Sequence, residues 1–280
     1  MQTIHHIDLL RETLSPLRDQ HIALVPTMGN LHSGHISLVE HAKQHADIVI
    51  TSIFVNPLQF GANEDLDAYP KTLSEDQAKL NDAGNDIVFA PSVSEMYPRG
   101  QEQHTQVIVP GITQHHCGSS RPGHFDGVST VVHKLFNIVQ PHIAVFGQKD
   151  FQQLQVIRKM VHDLSIPTHI VGVATARAAD GLALSSRNGY LTAPERRIAP
   201  LLRRLILETK ASILTTGIRR QEQEKKAVMQ LDEAGFGRDY FTICNANTLE
   251  PACEDCKDIV ILAAAQLGKT RLIDNLHFQL

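Results

Sequence analysis

The chain has 280 residues, 42% of them hydrophobic and 20% charged, and a formal net charge of −4. That length allows one large domain or two unequal ones, and no apolar stretch approaches the roughly 20 residues that cross a bilayer. The mild negative charge argues against a non-specific grip on nucleic acid, yet leaves room for the local basic pocket a nucleotide needs.

The first residues, MQTIHHIDLLRETL, read as an amphipathic helix and lack the basic-then-apolar order of a signal peptide. We therefore expect a cytoplasmic protein without membrane association. HIALV (21–25) reads as a strand, and residues 33–46 as a helix with Ile36, Val39, Ala42 and Ala46 on one face. DIVITSIF (47–54) is a continuous apolar run of the kind found in parallel strands buried on both faces. DIVFA (86–90), HIAVF (142–146) and THIVGV (168–173) extend the series, and Val128, Val131, Val132, Leu135, Phe136 and Val139 recur at helical spacing. Strand and helix in alternation predict an α/β fold, a Rossmann-like parallel sheet with helices on both faces, over residues 1–175. Beyond Thr175 the pattern changes. Helices over 194–214 and about 219–234 precede DYFTICNA, DIVILAAAQ and TRLIDNL, three candidate strands of a separate sheet. We expect a small α+β C-terminal domain over 176–280. Of Cys117, Cys244, Cys253 and Cys256, only the CEDC pair has metal-like spacing, and no second pair completes a zinc site. All four are expected to be reduced thiols.

In an open parallel sheet ligands bind beyond the carboxyl ends of the strands, and four polar loops fall at or near such ends. PTMGNLHSGH (26–35) carries glycines that let backbone approach a ligand, a helix N-terminus near Ser33, and two imidazoles, His32 and His35. FVNPLQFG (54–61) offers the neutral amides of Asn56 and Gln59. FGQKDFQQL (146–154) supplies Lys149 as a point charge, Asp150 as an acceptor or helix cap, and Gln152 and Gln153, one of which can face a pocket. DGLALSSRNGYL (180–191) brings two serines and the planar fork of Arg187, a set suited to phosphate. In YPKTLSED (69–76), Glu75 and Asp76 read either as outer metal contacts or as acids at an exposed helix N-terminus.

LHSGH resembles the HIGH signature of nucleotidyl transferases and LSSRN their KMSKS-type loop. PTMGNLHSGH, SIFVNPLQF, RPGHFDGVSTVVHKLFNIVQP, FGQKDFQQL and GLALSSRNGYL, in that order, resemble the pantothenate synthetase (pantoate–β-alanine ligase) family from about residue 20 to 195, with a weaker echo at TRLIDN. The resemblance implies ATP-dependent condensation of pantoate with β-alanine through a pantoyl adenylate, releasing pyrophosphate and AMP, in vitamin B5 and coenzyme A biosynthesis. It implies a homodimer and Mg2+ accompanying ATP, with no tightly bound prosthetic group; no residue is assigned to a metal. Residue by residue it assigns ATP contacts to Met28, Gly29, Asn30, Leu31, His32, Ser33, Gly34 and His35, to Gly147, Gln148, Lys149 and Asp150, to Ala176, and to Leu184, Ser185, Ser186 and Arg187. It assigns the acid to Gln59 and Gln153, with Asn56 beside them, and catalysis to His35, His32, Lys149 and Arg187. Gln148 and Cys117 stand where the family usually or frequently has Glu, and Ala176 is smaller than its usual apolar residue. The alternative within the superfamily is a nucleotidyltransferase that adenylylates a phosphorylated acceptor. A third reading, a nucleotide-binding module without catalysis, has no need of so many transition-state donors.

Overall fold

The computed structural model describes all residues except 62, 63, 65 and 216–218. The chain begins not as a helix but as a short strand, β1 (Gln2–Ile4), before helix α1 (Ile7–Leu14). Three residues are too few to show a period, and β1 exists because β4 (Ile87–Phe89) gives it a parallel edge with Gln2 opposite Ile87. Then follow β2 (Ile22–Thr27), α2 (Ser33–Lys43), β3 (Ile48–Ile53), α3 (Leu73–Asp82) and β4. Short helices α4 (Val93–Met96) and α5 (Cys117–Ser120) lead to α6 (His124–Val139), β5 (Ile143–Gly147), α7 (Phe151–Asp163) and β6 (His169–Val173).

The six strands form one sheet in the order β1-β4-β3-β2-β5-β6, and all neighbours run parallel. Period-two alternation explains the continuous apolar runs. In β2, Ile22 and Leu24 face the core built with α1, α6 and α7, while Ala23 and Val25 face Leu38, Val39 and Ala42 of α2. The chain reverses its direction of progress across the sheet between β2 and β5. These two strands pair only at Ala23–Ile143 and Leu24–Ala144, yet continue to Thr27 and Gly147. Their carboxyl ends therefore part and open a crevice at the topological switch point.

The helix expected over 194–214 is two, α8 (Ala193–Ile198) and α9 (Leu201–Thr215). Pro200 has no N–H to give to the preceding turn, so the ladder stops there. Helix α10 (Arg220–Glu233) and strands β7 (Gly237–Asn245), β8 (Asp258–Leu267) and β9 (Thr270–Gln279) complete the chain. The last three form an antiparallel sheet in the order β7-β8-β9. Its middle strand is buried on both faces: Ile259, Ile261 and Ala263 pack with α9 and α10, whereas Val260 and Leu262 join the core of the large sheet. Two of the expected free thiols are joined instead. Cys253 and Cys256 form a disulfide in the loop between β7 and β8, and Cys117 and Cys244 remain free.

Candidate active site

The turn after β2 is built around a buried carboxylate. Gly29 has φ +84°, and a Cβ there would lie 3.1 Å from the Ile53 methyl and 3.2 Å from Asp76 Oδ2, so only glycine fits. Asp76, fully buried, accepts the N–H of Asn30 at 2.8 Å and of Leu31 at 2.7 Å, with the Thr72 hydroxyl donating at 3.1 Å. One turn along α3, the Lys79 ammonium donates to the Leu31 carbonyl at 2.7 Å. Asp76 is therefore neither a surface acid nor a metal contact but the anchor of the turn, and Glu75 beside it is exposed.

From that anchored turn α2 starts with a reciprocal cap. The Gly34 N–H donates to His32 Nδ1 at 3.1 Å, and the His32 N–H donates to His35 Nδ1 at 3.3 Å. An Nδ1 that accepts carries no proton, so each neutral ring bears its hydrogen on Nε2. The ring centroids lie 4.1 Å apart. Burial, then His32 and Lys149, lower the His35 pKa to about 3. Burial followed by Lys149 and Lys79 lowers that of His32. Both imidazoles are thus neutral donors in the free protein. Burial and the neighbouring lysines make a charge on either ring costly there.

Behind the turn after β3 lies a layer of amides. Asn56, 1% exposed, donates to the Gly127 carbonyl and to Gln59 Oε1, both at 3.1 Å, and accepts from the Tyr97 hydroxyl at 2.7 Å. Its amide is fully engaged and does not line the cavity, contrary to the sequence expectation; it orients Gln59 instead. Gln59 lines the cavity with Met28 and Gln153, and its amide donates to Met28 Sδ at 3.0 Å. Two residues that sequence reasoning left without a role hold the Gln59 backbone. His124 Nδ1–H donates to the Gln59 carbonyl at 2.8 Å, which leaves Nε2 to accept from Arg121 at 2.9 Å. Burial, then Arg121, depresses the His124 pKa to about 4. Arg121 also donates to the Gln59 carbonyl and forms a two-pronged pair with Glu64 at 2.5 Å. Both sat inside the quoted RPGHFDG; their link to Gln59 is not visible in one dimension.

Across the crevice, the loop after β5 places Gly147, Lys149 and Asp150 on the cavity wall, with Lys149 Nζ 3.7 Å from Asp150 Oδ2. Gln148 turns away, its amide donating to the Gly172 carbonyl at 3.3 Å. Ala176 and Leu184 to Arg187 close the opposite side. Ser185 caps the following 3-10 turn by accepting the Arg187 N–H, which sets the arginine at the rim.

These walls enclose a cavity of about 240 Å³ that shares Arg121, His124, Lys149, Asp150, Gln153, Ser185 and Arg187 with a larger one of about 630 Å³ beneath the C-terminal sheet. Of the opening turn, Met28, His32, Gly34 and His35 line the smaller cavity. Gly29, Asn30, Leu31 and Ser33 do not: Leu31 is a core residue, 2% exposed, and Ser33 faces solvent. Of the 147–150 loop only the Gln148 side chain is elsewhere. Among the described residues no three His, Cys, Asp or Glu side chains form a group able to hold a metal, and no helix is long and apolar enough to cross a membrane.

The profile of the pantoate-beta-alanine ligase family matches residues 2–277. The pantothenate synthetase of Marinobacter nauticus is 56% identical over 278 residues, 99% of each chain. That of Hahella chejuensis is 56% identical over 282 residues, all of both chains. The pantothenate synthetase structure from Thermus thermophilus superimposes with a TM-score of 0.93 at 44% identity, covering 99% of each chain. A Francisella tularensis pantoate-beta-alanine ligase, complexed with beta-gamma ATP and beta-alanine, superimposes with a TM-score of 0.80 at 34% identity, covering 99% of this chain and 97% of its own. The chain belongs to the pantoate–β-alanine ligase family.

Proposed function

We propose that the smaller cavity is where pantoate meets the α-phosphate of ATP in the ligation that this family performs, the ATP-dependent joining of pantoate to β-alanine. One observation carries the assignment: a single cavity is lined both by donors for a polyanion and by neutral amides for a hydroxy acid. His32, His35, Lys149 and Arg187 supply donors suited to phosphate, and Gln59 and Gln153 supply neutral amides suited to a hydroxy acid, on the walls of the same cavity.

A pantoate carboxylate oxygen attacks the α-phosphorus, the bond to the bridging oxygen breaks, and pyrophosphate leaves with pantoyl adenylate behind. Negative charge grows on the departing oxygens, and donors already aimed there stabilise it without reorganising. His35 acts as a neutral hydrogen-bond donor, not as a proton source. The amine of β-alanine then attacks the acyl carbon, the C–N bond forms, and AMP leaves. Ala176, beside Gly34 on the cavity wall, sits where adenine packs. Mg2+ accompanying ATP would offset the phosphate charge, and Asp150, 3.7 Å from the Lys149 ammonium, is a carboxylate on that cavity wall.

We further read residues 1–175 as the ATP- and pantoate-binding domain, residues 176–280 as its lid, and the working protein as a cytoplasmic homodimer, on the strength of the family resemblance. A nucleotidyltransferase acting on a phosphorylated acceptor needs cations where this cavity presents Gln59 and Gln153. The test is pantoate-dependent exchange of pyrophosphate into ATP, followed by AMP release on adding β-alanine. Exchange with pantoate and AMP release with β-alanine are expected; ATP binding with neither would overturn the reading.

A further inference from the structure

Strand β9 carries two adjacent buried polar residues, Asp274 (5% exposed) and Asn275 (7% exposed), to which the ligation chemistry assigns nothing. Successive residues of a strand point to opposite faces. Asp274 shares its face with Leu272 and Phe278, which pack in the C-terminal core. Asn275 shares the other face with His277, whose ring meets Phe151 of α7 at 5.6 Å between centroids.

Each side chain grips a different phosphate loop. The Asn275 amide donates to the carbonyls of Gln148 at 2.9 Å and Lys149 at 2.8 Å. Asp274 accepts both prongs of Arg177, at 2.7 and 2.8 Å, and Arg177 also donates to the Gly181 carbonyl at 3.0 Å. Arg177 bridges to Ala183, and the Leu184 N–H donates to the Ala176 carbonyl at 2.9 Å. The carboxylate thereby holds the base of the loop whose tip is Ser185, Ser186 and Arg187. The dipeptide is itself held: Arg203 donates to the Asn275 carbonyl at 3.1 Å, and the Asn275 N–H donates to Asp274 Oδ1 at 2.7 Å.

We propose that Asp274 and Asn275 are positioning residues that set the two phosphate loops relative to each other, Asn275 through the Lys149 peptide and Asp274 through Arg177. The two loops come from different strands of the large sheet and have no covalent reason to keep a common spacing. One rigid strand touching both supplies it, and a displacement of about 1 Å in such a clamp costs on the order of 100-fold in rate. The inference rests on the reading of Lys149 and Arg187 as phosphate ligands.

The experiment separates the half-reactions in the full-length protein. Asn275→Ala, with Asn275→Leu as a volume-preserving second variant, is expected to lower pantoate-dependent ATP–pyrophosphate exchange tenfold or more. Aminolysis of preformed pantoyl adenylate should fall less than threefold, because pyrophosphate has already left. In a Lys149→Ala background the same substitution should change exchange less than twofold, since the group it positions is gone. Asp274→Asn should raise the KM for ATP with that for pantoate unchanged. Exchange within twofold of wild type in both Asn275 variants, equal losses in both half-reactions, or losses that multiply with Lys149→Ala would overturn the inference. Normal exchange in Lys149→Ala alone would overturn the parent reading of that lysine, and the positioning role with it. A loss there without one on Asn275→Ala refutes the positioning role only.

Discussion

At the scale of single residues, the neutral state of three imidazoles governs both chemistry and stability. His35 titrates at about 3 and His124 at about 4 in the folded chain, below the ordinary 6.5 that they regain on unfolding. Between about pH 4 and 6.5 the unfolded chain therefore binds more protons than the folded one. Stability is complete above that window and falls as the pH is lowered through it, by up to about 1.4 kcal/mol per pH unit for each group. Urea midpoints measured from pH 7.5 to 4.5 should fall accordingly, and His124→Gln should flatten the slope. A midpoint independent of pH would contradict the assignment. For catalysis, His35→Ala should lower turnover by about 10²- to 10⁴-fold, as expected for a lost charge-stabilising donor. An unchanged kcat would remove His35 from the mechanism. The loops that carry the histidines and Lys149 were legible because they hold recognisable motifs. Asp76 was not: its partners, the N–H groups of Asn30 and Leu31, lie on another element, and no local pattern links them.

At the scale of elements, the pocket walls are set by close packing between helices and loops. Helix α6 approaches the Pro57–Gln59 turn so closely that a Cβ on Gly127 would sit 2.2 Å from the Leu58 carbonyl oxygen and 2.6 Å from the Gln59 nitrogen. Gly127→Ala should push that turn outward, destabilise the fold by about 1–3 kcal/mol as overpacking does, and raise the KM for pantoate more than that for ATP. Equal KM values would sever Gln59 from the acid site. Helix α3 holds the opening turn in the same manner. Asp76→Ala leaves the buried Leu31 N–H without an acceptor, worth about 1–3 kcal/mol, and frees the half-buried Asn30 N–H as well. Thermal unfolding should shift down markedly, and the KM for ATP should rise; an unchanged KM for ATP would separate the anchor from the nucleotide site. Elements long enough to show a period were read correctly as helix or strand. The failures were β1, which is too short to show one, and the 194–214 helix, where the charged and leucine-rich pattern ran straight across Pro200.

At the scale of the whole molecule, the C-terminal sheet is bolted to the large one on a shared apolar face. Val260 and Leu262 on one side of β8 and Ile261 and Ala263 on the other bury the middle of that strand on both faces. The chain should therefore unfold in one calorimetric transition, and a non-hydrolysable ATP analogue at 100 times its Kd should stabilise it by about 2.7 kcal/mol. Two separate transitions, only one of them moved by the analogue, would contradict the coupling. The same contact makes DIVILAAAQ an uninterrupted apolar run, although antiparallel strands usually alternate.

Sequence by itself determined the alternation of strands and helices, the sheet class, the family, and the loops that carry histidine, lysine, glutamine and arginine. Those features are local: each is written within about a dozen consecutive residues as a period, a turn or a motif. Tertiary structure alone decided which side chains of those loops reach the cavity, sending Leu31 to the core, Gln148 to β6 and Asn56 behind Gln59. It also decided the protonation of His35 and the anchoring of the phosphate loops by Asp76, Asp274 and Asn275. Burial, charge proximity and hydrogen-bond partnership bring together residues far apart in the chain, 45 positions for Leu31 and Asp76 and 127 for Gln148 and Asn275.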